Sequence, residues 1–182
     1  FWEQDLAQGL AVLRQAIETH IITSYHLVPL MVPRENGLVV EITDGVEPGY
    51  RGSFFYDLAK AGVIRLAVAQ AGELKSKGIA AVAVTPGFLR SEAMLDHFGV
   101  TEANWRDGIA KDKDFAASET PAYVGRAVAA LAADPARARF SGEALSSWGL
   151  SEVYDFADAD GARPHWGRHF AAAYPNGFTP GE

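Results

Sequence analysis

The chain has 182 residues, of which 48% are hydrophobic and 21% charged, and this composition is typical of one ordinary globular domain. Its formal net charge of -7 argues against nucleic-acid and anionic-membrane partners, which select basic surfaces, so we predict neither. The absence of cysteine excludes disulfides, thiolate nucleophiles and cysteine-ligated zinc, and no apolar run reaches the roughly 18 residues that span a bilayer. We therefore expect a cytoplasmic protein without a metal site.

The first half of the chain alternates between long helices and short strands. Apolar residues recur every three or four positions from Asp5 to about Met31, which predicts one long helix. The short run Leu38–Ile42 is apolar and rich in β-branched residues, and it predicts a buried parallel strand. After a Gly- and Pro-containing loop at residues 44–51, the helical period returns from residue 53 to about residue 77 and ends at Gly78.

The second half continues this alternation with weaker signals. Ile79–Val84 predicts a second buried strand, whereas residues 88–120 are irregular or short-helical. Thr120-Pro121 has the N-cap and N1 signature of a helix that extends to about residue 133. Residues 143–147 predict a short third strand.

Helices that alternate with parallel strands predict an α/β fold, here a Rossmann-like doubly wound sheet. The chain holds only three such strands, and its helices cover little more than one face of the sheet, with the edge beside Leu38–Ile42 left bare. We therefore predict an incomplete sheet that consists of the last three strands and their helices. Residues 1–182 are interpreted as a single partial domain, with residues 150–182 as an aromatic, irregular C-terminal extension.

The second helix carries a candidate proton-transfer pair. Tyr56 and Lys60 are four residues apart, which places both side chains on one face of the helix. A phenol has an ordinary pKa of about 10, and a neighbouring ammonium lowers that pKa. The pair can then exchange a proton with an alcohol or carbonyl oxygen. Taken alone, such a pair is common on helices and carries no function.

The two neighbouring strand ends add context to this pair. Thr43, thirteen residues before Tyr56, directly follows the first strand and offers a hydroxyl to the same substrate oxygen. The next strand ends in Pro86-Gly87 and is followed by Ser91.

These three segments, 38–45, 56–60 and 84–91, resemble in order and spacing the second half of a classical short-chain dehydrogenase/reductase. The resemblance extends from the first helix to about Gly149 and implies that Tyr56 is the general acid/base. It implies that Lys60 lowers the pKa of Tyr56 and binds the nicotinamide ribose.

The resemblance also implies a nicotinamide site on the turn after the second strand. Pro86, Gly87 and the backbone of Leu89 would line the nicotinamide, and Ser91 would bind its carboxamide. Residues 142–147 would be the last strand of the sheet.

The sequence departs from the family pattern at the turn where the catalytic Ser is expected, since no Ser is present there. Counting back from Tyr56 selects Thr43, whereas matching the preceding strand selects Asp44. We favour Thr43, because an ionised Asp only accepts hydrogen bonds and its charge opposes formation of a phenolate. The family's Asn is also missing from the expected place, residues 15–19.

The largest departure is that the chain has no Gly-rich turn to hold a cofactor pyrophosphate on a helix N-terminus. In the family this turn belongs to a first half of about 100 residues. We therefore predict a chain truncated at its N-terminus that, as written, binds a dinucleotide weakly or not at all. The choice between NAD and NADP depends on that first half.

The resulting functional prediction is an oxidoreductase that moves a hydride between NAD or NADP and an alcohol/ketone substrate. The alternative is a non-catalytic scaffold or dimerisation protein that keeps the fold. The two long helices match those through which the family forms homodimers and homotetramers. Met94, Leu95, Phe98 and Trp105 lie in the family's substrate-loop region and are interpreted either as substrate contacts or as ordinary packing.

Overall fold

The computed structural model describes residues 1–45 and 50–175. These residues form two compact units. The first consists of residues 1–85 and 131–145, and the second of residues 86–130 and 146–175.

The first unit is built on a three-stranded sheet. Its strands are β1 (Gly37–Ile42), β2 (Ile79–Thr85) and β3 (Ala144–Ser146), in the order β1-β2-β3. β1 and β2 are parallel, with Gly37 opposite Ile79 and Ile42 opposite Val84. In the described part of the chain β1 is therefore an edge strand. The predicted α/β fold with parallel strands is confirmed.

Two long helices complete this unit, α1 (Leu6–Met31) and α2 (Phe54–Leu74). α1 begins where the Asp5 carboxylate accepts a hydrogen bond from the backbone N–H of Gln8, at 3.0 Å. α2 continues into a 3₁₀ turn and ends at Gly78, whose φ of 66° is the left-handed conformation that favours glycine. The sequence predicted both helices and both of these ends.

α2 packs against the sheet through small side chains. Ala59, Val63, Ala67 and Ala71 are buried on it, and every residue of β2 is buried. α1 lies against α2 at close range, because a Cβ atom placed on Gly9 would fall 2.3 Å from the ring of Phe55. Hydrophobic burial of α2 on β1 and β2 thus fixes the start of α2, where Tyr56 lies.

The second unit contains shorter elements. Its helices are α3 (Glu92–Phe98), α4 (Pro121–Ala133, which begins in this unit), α5 (Ser147–Tyr154) and α6 (Trp166–Ala173), with 3₁₀ turns at Trp105–Ala110 and Lys113–Ala117. α6 lies in residues 150–182, where the sequence shows no helical or strand periodicity and no element was predicted.

An aromatic core holds this unit together. Phe98, Trp105 and Phe115 are buried in it, and Met94 and Leu95 pack against it. Trp105 and Phe115 have ring centroids 5.8 Å apart in an edge-to-face arrangement, within the range of favourable aromatic pairs. Of the two interpretations of this loop region, the structure thus favours ordinary packing for Phe98 and Trp105.

Candidate active site

The end of β1 places Thr43 and Asp44 on different sides of the chain. Thr43 is buried, its backbone N–H donates to Val84 O at 3.0 Å, and its hydroxyl donates to the backbone oxygen of Lys60 at 2.8 Å. The hydroxyl of Thr43 therefore links the end of β1 to the backbone of α2.

Asp44 instead contacts the predicted catalytic tyrosine. The hydroxyl of Tyr56 donates to Oδ2 of Asp44 at 3.0 Å, and Nε of Arg51 lies 3.7 Å from Oδ1 of Asp44. Nζ of Lys60 lies 5.4 Å from the centroid of the Tyr56 ring. The structure thus brings Tyr56, Lys60 and Asp44 together. Of the two alternatives for the missing Ser, Asp44 is the one whose side chain contacts the Tyr56 hydroxyl.

The electrostatics of this group keep Tyr56 protonated. Burial of the phenol is the largest cause that raises the pKa of Tyr56, followed by the negative charge of Asp44 and the hydrogen bond to it. The guanidinium of Arg51 offsets part of this effect. The pKa of Tyr56 is therefore higher than an ordinary phenol's, opposite to the lowering expected from Lys60. At neutral pH Tyr56 is a proton donor.

We expect the Asp44→Asn substitution to lower the pKa of Tyr56, because it removes the negative charge that opposes the phenolate while keeping a hydrogen-bond acceptor. The titration midpoint should fall by about one pH unit. Tyrosine ¹³Cζ resonances, followed by NMR from pH 8 to 13, measure this midpoint. Asp57→Asn is the matched control, since Asp57 contacts Arg51 but not the phenol. An unchanged midpoint in Asp44→Asn would show that Asp44 does not raise the pKa of Tyr56.

The predicted nicotinamide segment, residues 86–91, lies in the second unit and is bound by both the side chain and the backbone of Glu119. The backbone N–H of Gly87 donates to Oε2 of Glu119 at 2.9 Å. The backbone of Glu119 pairs with the same segment, donating to Phe88 O at 2.9 Å and accepting from Arg90 N at 2.7 Å. Leu89 and Glu119 thereby form a parallel β-bridge.

Gly87 stands at a place where no side chain fits. A Cβ atom there would fall 2.8 Å from Cβ of Trp166 and 3.0 Å from Oε2 of Glu119. Ser91, predicted to bind the carboxamide, is the N-cap of α3, and its Oγ accepts from Met94 N at 3.3 Å.

Replacement of Gly87 by Ala should destabilise the protein by about 1–3 kcal/mol, because the added methyl group overpacks the contact with Trp166 and Glu119. The free energy of unfolding in urea measures the effect. Gly125→Ala, on α4, is the matched control, since nothing lies within 4 Å of its Cβ position. That variant should gain about 0.5–1 kcal/mol through helix propensity. Equal stabilities of the two variants would contradict the close packing at Gly87.

Glu119 and Trp166 contact the predicted nicotinamide segment, and the sequence did not reveal either contact. Glu119 is buried, and it also accepts a hydrogen bond from Oγ of Ser147, at 2.6 Å. Burial raises the pKa of Glu119 to about 7, against the hydrogen bonds from Ser147 and Gly87 that lower it. A Glu before a Thr-Pro helix start has no sequence signal that separates it from a solvated residue.

Comparison with known proteins identifies the family. A family model described as enoyl-(acyl carrier protein) reductase matches residues 5–147, the region that carries all three motifs. The chain belongs to the short-chain dehydrogenase/reductase family. The predicted membership is therefore confirmed, and with it the Rossmann-like nature of the sheet.

Relatives within the short-chain dehydrogenase/reductase family are longer than this chain. The human protein "Dehydrogenase/reductase SDR family member 1" is 31% identical over 163 residues, which are 88% of this chain and 52% of that protein. The chain thus spans about half the length of that relative.

Two solved structures share the fold. A structure described as ElxO with NADP bound has a TM-score of 0.65 and 21% identity, and the match covers 80% of this chain and 58% of that one. A 4-hydroxyisoleucine dehydrogenase complexed with NADH has a TM-score of 0.57 and 17% identity, with 80% and 60% covered.

Within residues 1–45 and 50–175, no helix is both long and apolar enough to cross a membrane. In the same ranges no cluster of three or more His, Asp or Glu side chains is arranged to hold a metal ion.

Proposed function

We propose that the protein is an oxidoreductase that interconverts an alcohol and its carbonyl compound with NAD or NADP. The observation that carries this proposal is the grouping of Tyr56, Lys60 and Asp44 at the carboxyl end of β1, in a chain of this family. The folds of an NADP-bound and an NADH-bound protein support either cofactor.

Each unit contributes residues of the kind that the nicotinamide end of such a cofactor requires. Lys60 and Tyr56 would hold the ribose, while Pro86, Gly87, Leu89 and Ser91 would line the ring and its carboxamide. One observation supports this fit. Phe88 and Arg90 direct their paired backbone groups toward Glu119, so the N–H and C=O of Leu89 point to the opposite side. No Gly-rich turn for the pyrophosphate is present in this sequence.

The proposed chemistry at the substrate oxygen is proton transfer by Tyr56. The nicotinamide, when bound, supplies or accepts the hydride. Tyr56 is protonated at neutral pH, so in the reducing direction it gives its proton to the substrate oxygen as negative charge develops there. The ammonium of Lys60 favours the phenolate that remains, and Tyr56, which is 40% exposed, regains a proton from solvent.

Asp44 has a positioning role in this scheme. Its carboxylate accepts the hydrogen bond of the Tyr56 hydroxyl and so fixes the direction of the O–H group until a substrate oxygen takes its place. We assign to Asp44, rather than to Thr43, the place of the family's Ser. The hydroxyl of Thr43 is engaged with the backbone of Lys60 and positions the helix that carries the pair.

A second candidate function, a non-catalytic scaffold, is favoured by the same contact. A carboxylate at this position raises the pKa of Tyr56 and disfavours the phenolate that catalysis must pass through. Equilibrium titration of NADH and NADPH fluorescence against the full-length gene product separates the two functions. Saturable binding of one cofactor is expected. If neither cofactor binds, the oxidoreductase proposal is contradicted and the non-catalytic scaffold is supported.

The proposed oligomer is a homodimer or homotetramer formed through the long helices. α1 leaves Leu6, Leu10, Ile22 and Leu30 about half or more exposed. Covering such apolar side chains stabilises an association. The Ile22→Glu variant should shift the molar mass measured by light scattering toward the monomer. An unchanged mass would contradict an interface formed through this face of α1.

A further inference from the structure

Glu119 is a buried ionisable side chain that the proposed chemistry does not use. It is 1% exposed, and it contacts two separate segments of the second unit, residues 86–91 and Ser147. Its side chain accepts from the backbone N–H of Gly87 and from the hydroxyl of Ser147, both on Oε2. Its backbone forms the bridge to Leu89. Glu119 thus binds the segment predicted to line the nicotinamide through both its side chain and its backbone.

The two Glu119 oxygens are in different situations. Oε2 accepts two hydrogen bonds, whereas Oε1 is buried and has no hydrogen-bond partner. An ionised carboxylate with one unsatisfied oxygen is costly in a buried place, because the charge is not solvated there. Protonation on Oε1 removes that charge and leaves Oε2 as a neutral acceptor, whose hydrogen bonds are weaker than those to a carboxylate.

The surroundings of Glu119 place this change in the neutral pH range. Burial is the largest cause that raises the pKa of Glu119, to about 7, and the charge of Asp158 acts in the same direction. The positive charge of Arg90 lowers the pKa of Glu119 and so offsets part of this increase. The charge of Glu119 in turn raises the pKa of Tyr123. The Asp158 carboxylate accepts a hydrogen bond from the backbone N–H of Thr120 at 2.8 Å, which fixes its charge relative to the neighbouring Glu119.

We propose that Glu119 is a positioning residue for the nicotinamide: its ionised carboxylate holds the Gly87 N–H and thereby presents the backbone of Leu89 to the cofactor, and its protonation loosens this hold and weakens cofactor binding. The inference rests on the proposed function, since it concerns the affinity for NAD(P)H. It assigns to the site a residue outside the family motif and a dependence on pH.

The first test measures the dissociation constant of the tighter-binding reduced cofactor at pH 6, 7 and 8. The full-length gene product is compared with its Glu119→Gln variant, which keeps the shape and an acceptor for Gly87 but does not titrate. The wild-type constant should rise roughly fivefold from pH 8 to pH 6, because a charge-assisted hydrogen bond becomes a neutral one. The variant should lack this rise.

Glu143→Gln is the matched control, since Glu143 is exposed and its substitution removes the same charge. This control should follow the wild type at every pH. If Glu119→Gln also follows the wild type at every pH, the positioning role is wrong. If the wild type binds neither cofactor, the proposed function fails instead, and this inference fails with it.

The second test needs no cofactor and can be made on this chain. The Gly87 amide resonance in ¹⁵N-labelled protein should move with pH, with a midpoint near 7, because its acceptor changes charge. In Glu119→Gln the resonance should stay constant over the same range. A Gly87 amide that does not titrate in the wild type would show that Glu119 does not hold it as proposed.

Discussion

Replacement of Tyr56 by Phe should lower kcat for carbonyl reduction by roughly 10²–10⁴-fold, the usual contribution of a positioned general acid. The substitution removes only the hydroxyl that donates to Asp44 at 3.0 Å, and the ring keeps its place at the start of α2. The loss should therefore fall on turnover. Steady-state kinetics of the full-length gene product on a panel of ketones, with both reduced cofactors, would measure it.

The cofactor affinity separates a chemical role of Tyr56 from a structural one. The dissociation constant of NAD(P)H should rise by a much smaller factor than kcat falls, since the ribose loses only the Tyr56 hydroxyl while Lys60 and the segment at residues 86–91 remain. Tyr25→Phe is the matched control, because Tyr25 is 75% exposed on α1 and far in sequence from the site. Full turnover in Tyr56→Phe, at unchanged affinity, would contradict the proposed proton transfer.

The elements that position this tyrosine were accessible from the sequence because they are locally encoded. A 3.6-residue period marks α1 and α2, and β-branched apolar runs mark β1 and β2. The ends were also local: Asp5 caps α1 through the N–H of Gln8, and Gly78 takes a left-handed φ. The short strand Ala144–Ser146 followed from the alternation of strands and helices.

The spacing of Tyr56 and Lys60 was likewise readable, because four residues on a helix return to one face. The sequence did not show whether Thr43 or Asp44 contacts Tyr56. Counting thirteen residues back from Tyr56 selects Thr43, but it does not consider that successive side chains of an extended chain point to opposite sides. Glu41 and Thr43 share the buried side, and this alternation turns Asp44 toward Tyr56. Which of the two contacts Tyr56 depends on the direction of the side chain, which counting along the sequence does not give.

Glu119 marks the limit of sequence reasoning in the second unit. Its burial results from pairing with Phe88 and Arg90, some thirty residues earlier, and from the hydroxyl of Ser147, about thirty residues later. No period or short motif encodes contacts at such separations. α6, with Trp166 against Gly87, is a similar case, because its position depends on tertiary packing with a turn that is distant in sequence.

The burial of Glu119 also predicts a specific dependence of stability on pH. The pKa of Glu119 is about 7 in the folded protein and 4.5 ordinarily, so the folded state holds the proton more tightly than the unfolded state between these values. The resulting stabilisation is complete below pH 4.5 and is lost as the pH rises through 7. Relative to Glu119→Gln, the wild type should lose about 1.4 kcal/mol per pH unit, roughly 2–3 kcal/mol between pH 5 and 8.

Urea unfolding of the wild type and of Glu119→Gln at pH 5, 6, 7 and 8 measures this difference directly, since ionisable groups common to both proteins cancel. Glu143→Gln, which changes an exposed carboxylate, should run parallel to the wild type. A constant difference between wild type and Glu119→Gln would mean that Glu119 has the same pKa folded and unfolded. The ionised form of Glu119 lowers the free energy of unfolding, and it is also the form that binds the Gly87 N–H most strongly. As the pH rises through 7, stability should therefore fall while cofactor affinity rises.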